Sequence, residues 1–277
     1  MTTHTLTGKI AVITGAASGI GKALAIAMAH HGASVALLDR DAGSLDRALA
    51  DLQASGATAL AYPCDVTEAE QCAAAMATVI RTFGGIDVLV NNAGISHHSL
   101  FENTDLSVIR KVLDVNFFGA VHCTKAALDS LIARQGTIIA ITSIAGFAPL
   151  VGRTAYAASK HAMMGFFDSL RTEVGELGVD VLTVAPSFTA TDLDAKALAG
   201  DGQVRDPGKT MIGRAQTPET VATAIVQAMQ KRKRRLILAP IGHASWWVSR
   251  LAPDLYARLM RRRLLADYPL RQPKTPR

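Results

Sequence analysis

The chain is poor in the residues that build covalent staples, metal cages and aromatic cores. It holds three cysteines in 277 residues, Cys64, Cys72 and Cys123. Their number is odd and they lack the short paired spacings of a zinc site, so neither a disulfide framework nor a metal site is expected. Buried or half-buried reduced thiols are expected instead, and with them a cytoplasmic setting. Aromatic residues make up 5% and charged residues 19% of the chain, against 49% hydrophobic. That balance excludes a disordered polyelectrolyte and supplies the aliphatic surface of a large core. No apolar run reaches the roughly 18 residues of a membrane-crossing helix. The polar start, residues 1–8, does not read as a secretory signal. Internal repeats of solenoid length and low-complexity tracts are lacking as well.

What charge there is lies unevenly. The net charge is +6, yet residues 231–277 hold 13 of the 29 Lys and Arg and 2 of the 23 Asp and Glu. The tail is therefore +11 and the remainder −5. Such asymmetry points to an anionic partner of the tail rather than of the body.

Apolar runs alternate with helical periodicity along most of the chain. Strands are expected at 9–14, 34–39, 58–62, 86–91, 137–143, 179–185 and 235–239. Helices are expected at 19–30, 42–54, 67–82, 105–133, 154–176 and 217–230. The strands lack polar alternation, so both of their faces should be covered, as in a doubly wound parallel α/β sheet. At this length one such domain over 1–240, with a C-terminal helical extension over 241–277, fits better than two equal domains. Residues 187–213 show no sustained period and read as a lid over a site. Residues 242–263 read as an amphipathic helix broken near Pro253.

Two motifs carry chemistry. The first is the turn Thr14-Gly15-Ala16-Ala17-Ser18-Gly19-Ile20-Gly21 between the first strand and the first helix. Glycine lets backbone approach a pyrophosphate, and the helix start offers unpaired N–H groups. Asp39, at the end of the second strand, can accept from the ribose hydroxyls of NAD and would repel the extra phosphate of NADP. Arg40 could hold that phosphate, and Ser18 offers no cation, so NAD is preferred to NADP. Asp65 could accept from the adenine amino group or cap the helix beginning at Thr67; position alone leaves both open.

The second motif is Tyr156-x-x-x-Lys160, which puts a phenol and an ammonium on one helix face. A tyrosine near pKa 10 is a poor base at neutrality. An ammonium at about 4 Å favours the phenolate by about 4 kcal/mol at an effective dielectric of 20. That is about three pKa units, reduced by the desolvation of both groups. Lys160 is thus expected to make Tyr156 a usable acid/base. Ser143 can hold the substrate oxygen near that hydroxyl.

With these residues in view, the chain resembles the short-chain dehydrogenase/reductase family over about 6–240. The resemblance rests on TGAASGIG (14–21), DV (65–66), NNAG (91–94), Asn116 within VNFFG, Ser143 within ITSIAG, and YAASK (156–160). It implies a Rossmann-like fold, a nicotinamide cofactor and a catalytic set of Asn116, Ser143, Tyr156 and Lys160. Asn116 would kink its helix and relay protons through a water to Lys160; its other reading is a buried amide serving local backbone. Together with the reading above, the nucleotide contacts become Gly15, Ser18, Gly19, Ile20, Gly21, Asp39, Arg40, Asp65, Val66, Asn92, Ala93, Gly94, Tyr156, Lys160, Pro186, Thr189 and Thr191. Ser187 stands where the family continues with glycine, which unsettles the detail of the nicotinamide contact. The family also implies a homodimer or homotetramer, with the helices carrying Asn116 and Tyr156 at the interface.

Residues 144–153 are mostly apolar and are expected to line the pocket, so the expected substrate is a lipophilic secondary alcohol or ketone. His97 and His98 are expected to be exposed loop histidines. The run 231–235 reads as a solvated helix end, and nucleic acid is not an expected partner because the body is negative. Trp246, Trp247, Leu251, Leu255, Leu259 and Leu264, with Arg250, Arg258 and Arg261–Arg263, form an amphipathic pattern. It suits peripheral contact with an anionic membrane, docking on the body or a second subunit, or a wall beside the pocket. The rival function is a catalytically silent nucleotide sensor or scaffold of the same fold, against which the intact set of four argues.

Overall fold

The structure is a computed structural model, and it describes residues 6–204, 215–264 and 268. Its first half runs β1 (Ile10–Thr14), α1 (Gly19–His30), β2 (Ser34–Asp39), α2 (Ala42–Ala54), β3 (Ala59–Pro63), α3 (Ala69–Phe83) and β4 (Val88–Asn91). The second half runs α4 (Leu106–Leu113), α5 (Gly119–Ala133), β5 (Thr137–Ile141), α6 (Thr154–Val174), β6 (Asp180–Ala185), α7 (Pro218–Gln230) and β7 (Arg235–Ile237). Helices α8 (Pro240–Leu251) and α9 (Pro253–Leu264) follow. The seven strands form one sheet in the order β3-β2-β1-β4-β5-β6-β7. Every pairing is parallel. This is the Rossmann-like doubly wound sheet that the alternating runs predict.

Strand period explains the two-layer core. In β1, Ala11 and Ile13 join the apolar layer under α1, α2 and α7. Ile10 and Val12 join the opposite layer, under α3, α5 and α6. Successive side chains of a strand point to opposite faces, so a strand buried on both must be apolar throughout. Leu24, Met28 and Phe167 are among the largest fully buried side chains. Each such burial contributes about 1.5–3 kcal/mol. The three cysteines are free and buried, with Sγ of Cys72 and Cys123 3.6 Å apart. Hydrogen bonding and burial push the Cys72 thiol up to about 12, so it stays protonated.

Several element ends differ from expectation for identifiable reasons. The helix expected at 105–133 is two helices joined by a π-turn, Asp114–Phe118, which Gly119 N closes on Asp114 O. A side chain at Gly119 would collide with Val66, so glycine is required where this wider turn presses on the strand-end loop. The helix expected from 67 starts at Ala69, because Asp65 Oδ1 accepts from Thr67 N (3.0 Å) and Thr67 Oγ1 (2.8 Å) and holds that residue in a turn. The amphipathic span 242–263 is divided at Ala252, immediately before Pro253. Of the expected lid, residues 205–213 lie outside the described residues, as do 265–267 and 269–277 of the tail.

A buried charge cluster ties down the end of the sheet away from the glycine turn. Asp87 is 3% exposed and accepts from Lys9 Nζ (3.0 Å), Ile10 N (3.0 Å) and Arg134 Nη2 (2.9 Å). Burial pushes its carboxyl up, but Arg134, Lys9 and the Ile10 N–H outweigh it and hold the group below the usual carboxylate range. A depressed value means that its stabilisation is complete above the unfolded value of about 3.9 and is lost as pH falls through the folded value. Asp87→Ala is expected to cost about 1–3 kcal/mol, chiefly by leaving the buried Ile10 N–H without its acceptor, since Lys9 and Arg134 can still reach water. Urea denaturation should show this loss at pH 7 and a much smaller difference from wild type near pH 2.

Candidate active site

The strand order reverses between β1 and β4, and the cleft opens there, at the carboxyl ends of the strands. The two loops at that point are stapled together. Thr14 Oγ1 accepts from Asn92 N and Ala93 N, each at 3.0 Å, and donates to Val90 O at 3.3 Å. Asn92 Nδ2 donates to Thr14 O (2.9 Å) and Gly15 O (3.1 Å). Gly15 has φ +63°, and a Cβ there would stand 2.9 Å from Ala93 Cα. The turn therefore tolerates no side chain at this position. At Gly21 a Cβ would overlap Gly15 O, so this glycine serves packing of the turn on its helix and does not line the cleft.

The cleft is lined at one end by Gly15, Ser18, Gly19, Ile20, Asp39, Asn92, Ala93 and Gly94. Ser18 precedes α1 with no side-chain cap bond, leaving its hydroxyl to the cleft. Asp39 is held by two backbone donors, Ala17 N to Oδ2 and Asp41 N to Oδ1, both at 3.1 Å. This bonding aims the carboxylate and leaves lone pairs for a ligand hydroxyl. These features fit a dinucleotide: a cradle that a Cβ would fill, free helix N–H groups, and an acceptor one strand away. Arg40 is exposed and does not line the cleft. Asp65 is occupied in its turn with Thr67, and Val66 is buried against the Gly119 position, so neither lines it. Pro186, Thr189 and Thr191 do line it, beside Ser187 and Phe188.

Ser143, Tyr156 and Lys160 meet in the middle of the cleft. Ser143 follows β5, and its Oγ accepts from Ala145 N at 3.1 Å. That bond leaves the hydroxyl proton free to point at the phenol of Tyr156, whose proton affinity Ser143 lowers. Tyr156 is 6% exposed on α6. Lys160 Nζ lies 5.8 Å from the Tyr156 ring centre, donates to Ile141 O (2.9 Å) and touches Met163 Sδ (3.5 Å). A net lowering of the phenol is not what the buried site produces. Burial pushes Tyr156 above its ordinary value, and Arg153 and the Ser143 bond oppose this. Burial also brings Lys160 down to about 8, since the stripping of water that isolates the phenol penalises the ammonium too.

Asn116 sits in the π-turn, fully buried. Its Oδ1 accepts from Ile95 N (2.8 Å), while its Nδ2 donates to Ile95 O (3.0 Å) and Ser159 Oγ (2.9 Å). The amide thus clamps the loop after β4 to α6, and its side chain makes no bond to Lys160 in the structure.

The substrate side contains residues that sequence reasoning did not assign. Of residues 144–153, Ile144, Leu150 and Arg153 line the cleft, whereas Phe147 and Ala148 are buried in a cluster with Tyr256 and Trp246. Phe188, Leu193, Ile241, Tyr256 and Met260 complete an apolar wall. His97 and His98 are buried, not exposed: His98 N donates to Leu198 O (2.9 Å), the His98 ring meets Asp194 (3.2 Å) and the His97 ring meets Thr104 (3.1 Å). Burial, with His98 and Arg153 nearby, brings His97 down to about 4. Asp194 joins Arg153 Nη1 (3.0 Å) and His98 Nε2 (3.2 Å). Burial pushes its carboxyl up, but these partners outweigh it and hold the group at about 2. Among the described residues no cluster of His, Cys, Asp and Glu could hold a metal.

The short chain dehydrogenase family pattern matches residues 9–201. The chain belongs to the short-chain dehydrogenase/reductase family. It is 38% identical over 259 residues to dehydrogenase/reductase SDR family member 7B of Bos taurus, covering 91% of this chain and 80% of that protein. A 7α-hydroxysteroid dehydrogenase solved with NADH and 7-oxo glycochenodeoxycholic acid superimposes with TM-score 0.74 at 28% identity, over 84% of this chain and 92% of that one. An alcohol dehydrogenase of Thermococcus sibiricus, solved with 5-hydroxy-NADP, superimposes with TM-score 0.72 at 26% identity, over 83% and 95%. Of the unforeseen parts of the site, Arg153 carried a readable signal, since it lies only three residues before Tyr156, at the start of the same helix. Asp194, Ile241 and Met260 come from distant segments with no period in common. Asn116→Ala is expected to lower stability by about 1–3 kcal/mol, because the Ile95 N–H and C=O lose their partner in a buried loop. Thermal unfolding of the ligand-free protein measures this apart from turnover.

Proposed function

We propose that this short-chain dehydrogenase/reductase transfers a hydride between a nicotinamide dinucleotide, NAD in preference to NADP, and a lipophilic secondary alcohol or ketone. The observation that carries the reading is the Ser143–Tyr156–Lys160 group opening on a cleft whose substrate side is Ile144, Leu150, Phe188, Leu193, Ile241, Tyr256 and Met260. The dinucleotide would be held by Gly15, Ser18, Gly19, Ile20, Asp39 and the loop Asn92–Gly94, and when bound it supplies the site that gains or loses the hydride. Tyr156 moves the hydroxyl proton, as base in oxidation and acid in reduction. Ser143 donates to the same substrate oxygen and holds it against the phenol. Lys160 adds a positive charge that favours the phenolate. A proton relay through Asn116 has to use its backbone, because both atoms of its amide are taken. Asp39 carries the preference for NAD, since a carboxylate at that place repels a ribose phosphate. The steroid-type ketone held by one solved relative supports the substrate class. The two relatives hold different nicotinamide dinucleotides, so the preference rests on Asp39 alone.

The experiment titrates NAD and NADP, then measures NADH production from a long-chain secondary alcohol and from a polyol. Tighter NAD binding and preference for the lipophilic alcohol are expected; a clear preference for the polyol overturns the substrate class. Tyr156→Phe should lower kcat by about 10²- to 10⁴-fold, with NAD affinity changed by less than a few-fold. Unchanged turnover in that variant would remove Tyr156 as the acid/base, whereas no NADH production by the unaltered protein would favour the sensor or scaffold reading.

The protein is further read as a cytoplasmic homo-oligomer that touches membranes peripherally. Phe118, 46% exposed on the flank of α5, suits a subunit contact. Trp246 turns inward, edge-on to Phe147 at 4.9 Å, with Arg250 3.2 Å over its ring. Trp247, Leu251, Leu255 and Leu259 remain exposed, beside exposed Arg250, Arg258 and Arg261–Arg263. An apolar ridge flanked by cations suits an anionic bilayer surface next to the mouth of a lipophilic cleft. Co-sedimentation with phosphatidylserine vesicles at low salt is expected, weakening at high salt and in Trp247→Ser/Leu251→Ser; no binding at low salt removes this reading.

A further inference from the structure

Resting on the assignment of Tyr156 as acid/base, we propose that Arg153 acts through the phenol as its second cation, and that Asp194 sets how much of that charge the phenol feels. The guanidinium carbon of Arg153 lies 5.8 Å from the Tyr156 ring centre, the same distance as Lys160 Nζ. The two cations are not equivalent. Lys160 is fixed on Ile141 O and buried among apolar neighbours. Arg153 is bound to groups from another segment: its Nη1 donates to Ser96 Oγ at 3.1 Å and pairs with Asp194 Oδ1 at 3.0 Å.

Position makes this pairing meaningful. Arg153 immediately precedes α6, where the helix end is partially positive and a cation is disfavoured. A guanidinium at that end, mostly shielded from water with 13% of its side chain exposed, needs a counter-charge, and Asp194 provides it. Asp194 comes from the segment after β6, which also lines the cleft through Phe188, Thr191 and Leu193. It is the more exposed partner, at 40%. Displacement of that segment by an entering substrate would therefore separate the pair and expose the phenol to an unneutralised cation. The charged groups around the ring are Arg153 just before α6, Lys160 on α6 and Asp194 from the segment facing it. Behind Asp194 stand His98, paired to it, and His97, bonded to Thr104; Tyr256 faces the cleft from α9. The directions at Tyr156 agree, since Arg153 lowers its proton affinity and Asp194 raises it.

The alternative is that the pair merely latches the segment after β6 to α6. The two differ in sign. A tuning pair moves the phenol in opposite directions when one or the other partner is neutralised, whereas a latch lowers activity in both cases without moving it. The test measures the acidic limb of the oxidation rate with NAD in Arg153→Gln, Arg153→Lys and Asp194→Asn. In parallel, tyrosinate absorbance of the cofactor-free proteins is titrated, each against its own Tyr156→Phe background. Arg153→Gln should shift both readouts up by about one pH unit, which is about a tenfold loss of rate below the limb. Asp194→Asn should shift them down, and Arg153→Lys should stay close to wild type. Limbs that stay in place, or that move the same way in Arg153→Gln and Asp194→Asn, overturn the proposal. The absorbance titration needs no turnover, so it decides the point even if Tyr156→Phe shows that the phenol is not the acid/base.

Discussion

Two groups that prefer water, a phenol and an ammonium, are held together in this protein where water is largely excluded. Burial acts against the charged form of each: Tyr156 is pushed up and Lys160 down. Proximity alone does not make the phenol labile, because the dielectric that strengthens attraction also makes every charge costly. What allows the arrangement is a set of compensating contacts. Ile141 O receives the ammonium, Ser143 reaches the phenol, and Arg153 stands as far from the ring as Lys160 does. Each comes from the end of a buried strand or from the helix after it, so the compensation is as rigid as the sheet.

The sheet supplies that rigidity through opposite devices at its two ends. At one end, Asp87 gathers two cations and a backbone N–H into a closed cluster that leaves nothing for a ligand. At the other, Thr14 and Asn92 bind the glycine turn to the loop after β4, and the backbone left uncovered by missing side chains becomes the cradle. One end uses polar groups to close the structure; the other uses the lack of side chains to keep it open. Family membership, the parallel sheet and the placement of the quartet are therefore one fact seen at three scales.

Much of this was legible in the primary structure. Unbroken apolar strands separated by helical periods require a sheet covered on both faces, and the glycine turn and Tyr156-x-x-x-Lys160 place the two halves of the site on known elements. Local spacing also picks out residues that meet the cleft, at Gly15, Ser18 and Asp39, although it does not part Asp39 from Arg40. It failed where a residue's role depends on what comes near it from elsewhere. Asp65 and Asn116 bear the right side chains for ligand contact, yet Thr67 engages one carboxylate oxygen of Asp65, and Ile95 and Ser159 engage the amide of Asn116. His97 and His98 look like exposed loop histidines until Thr104 and Asp194 meet their rings.

Element order, the burial of both sheet faces and the shared helix face of Tyr156 and Lys160 were written in the residue order alone, because they follow from periods of two and 3.6 residues and from a spacing of four. Folding in three dimensions settled which charges act on the phenol, which face of the terminal helices closes the cleft, and which apolar ridge stays outside. Those outcomes depend on distances between segments tens of residues apart, and packing energies fall off within a few ångströms and electrostatic ones over roughly 10 Å in salt, scales on which no one-dimensional pattern reports.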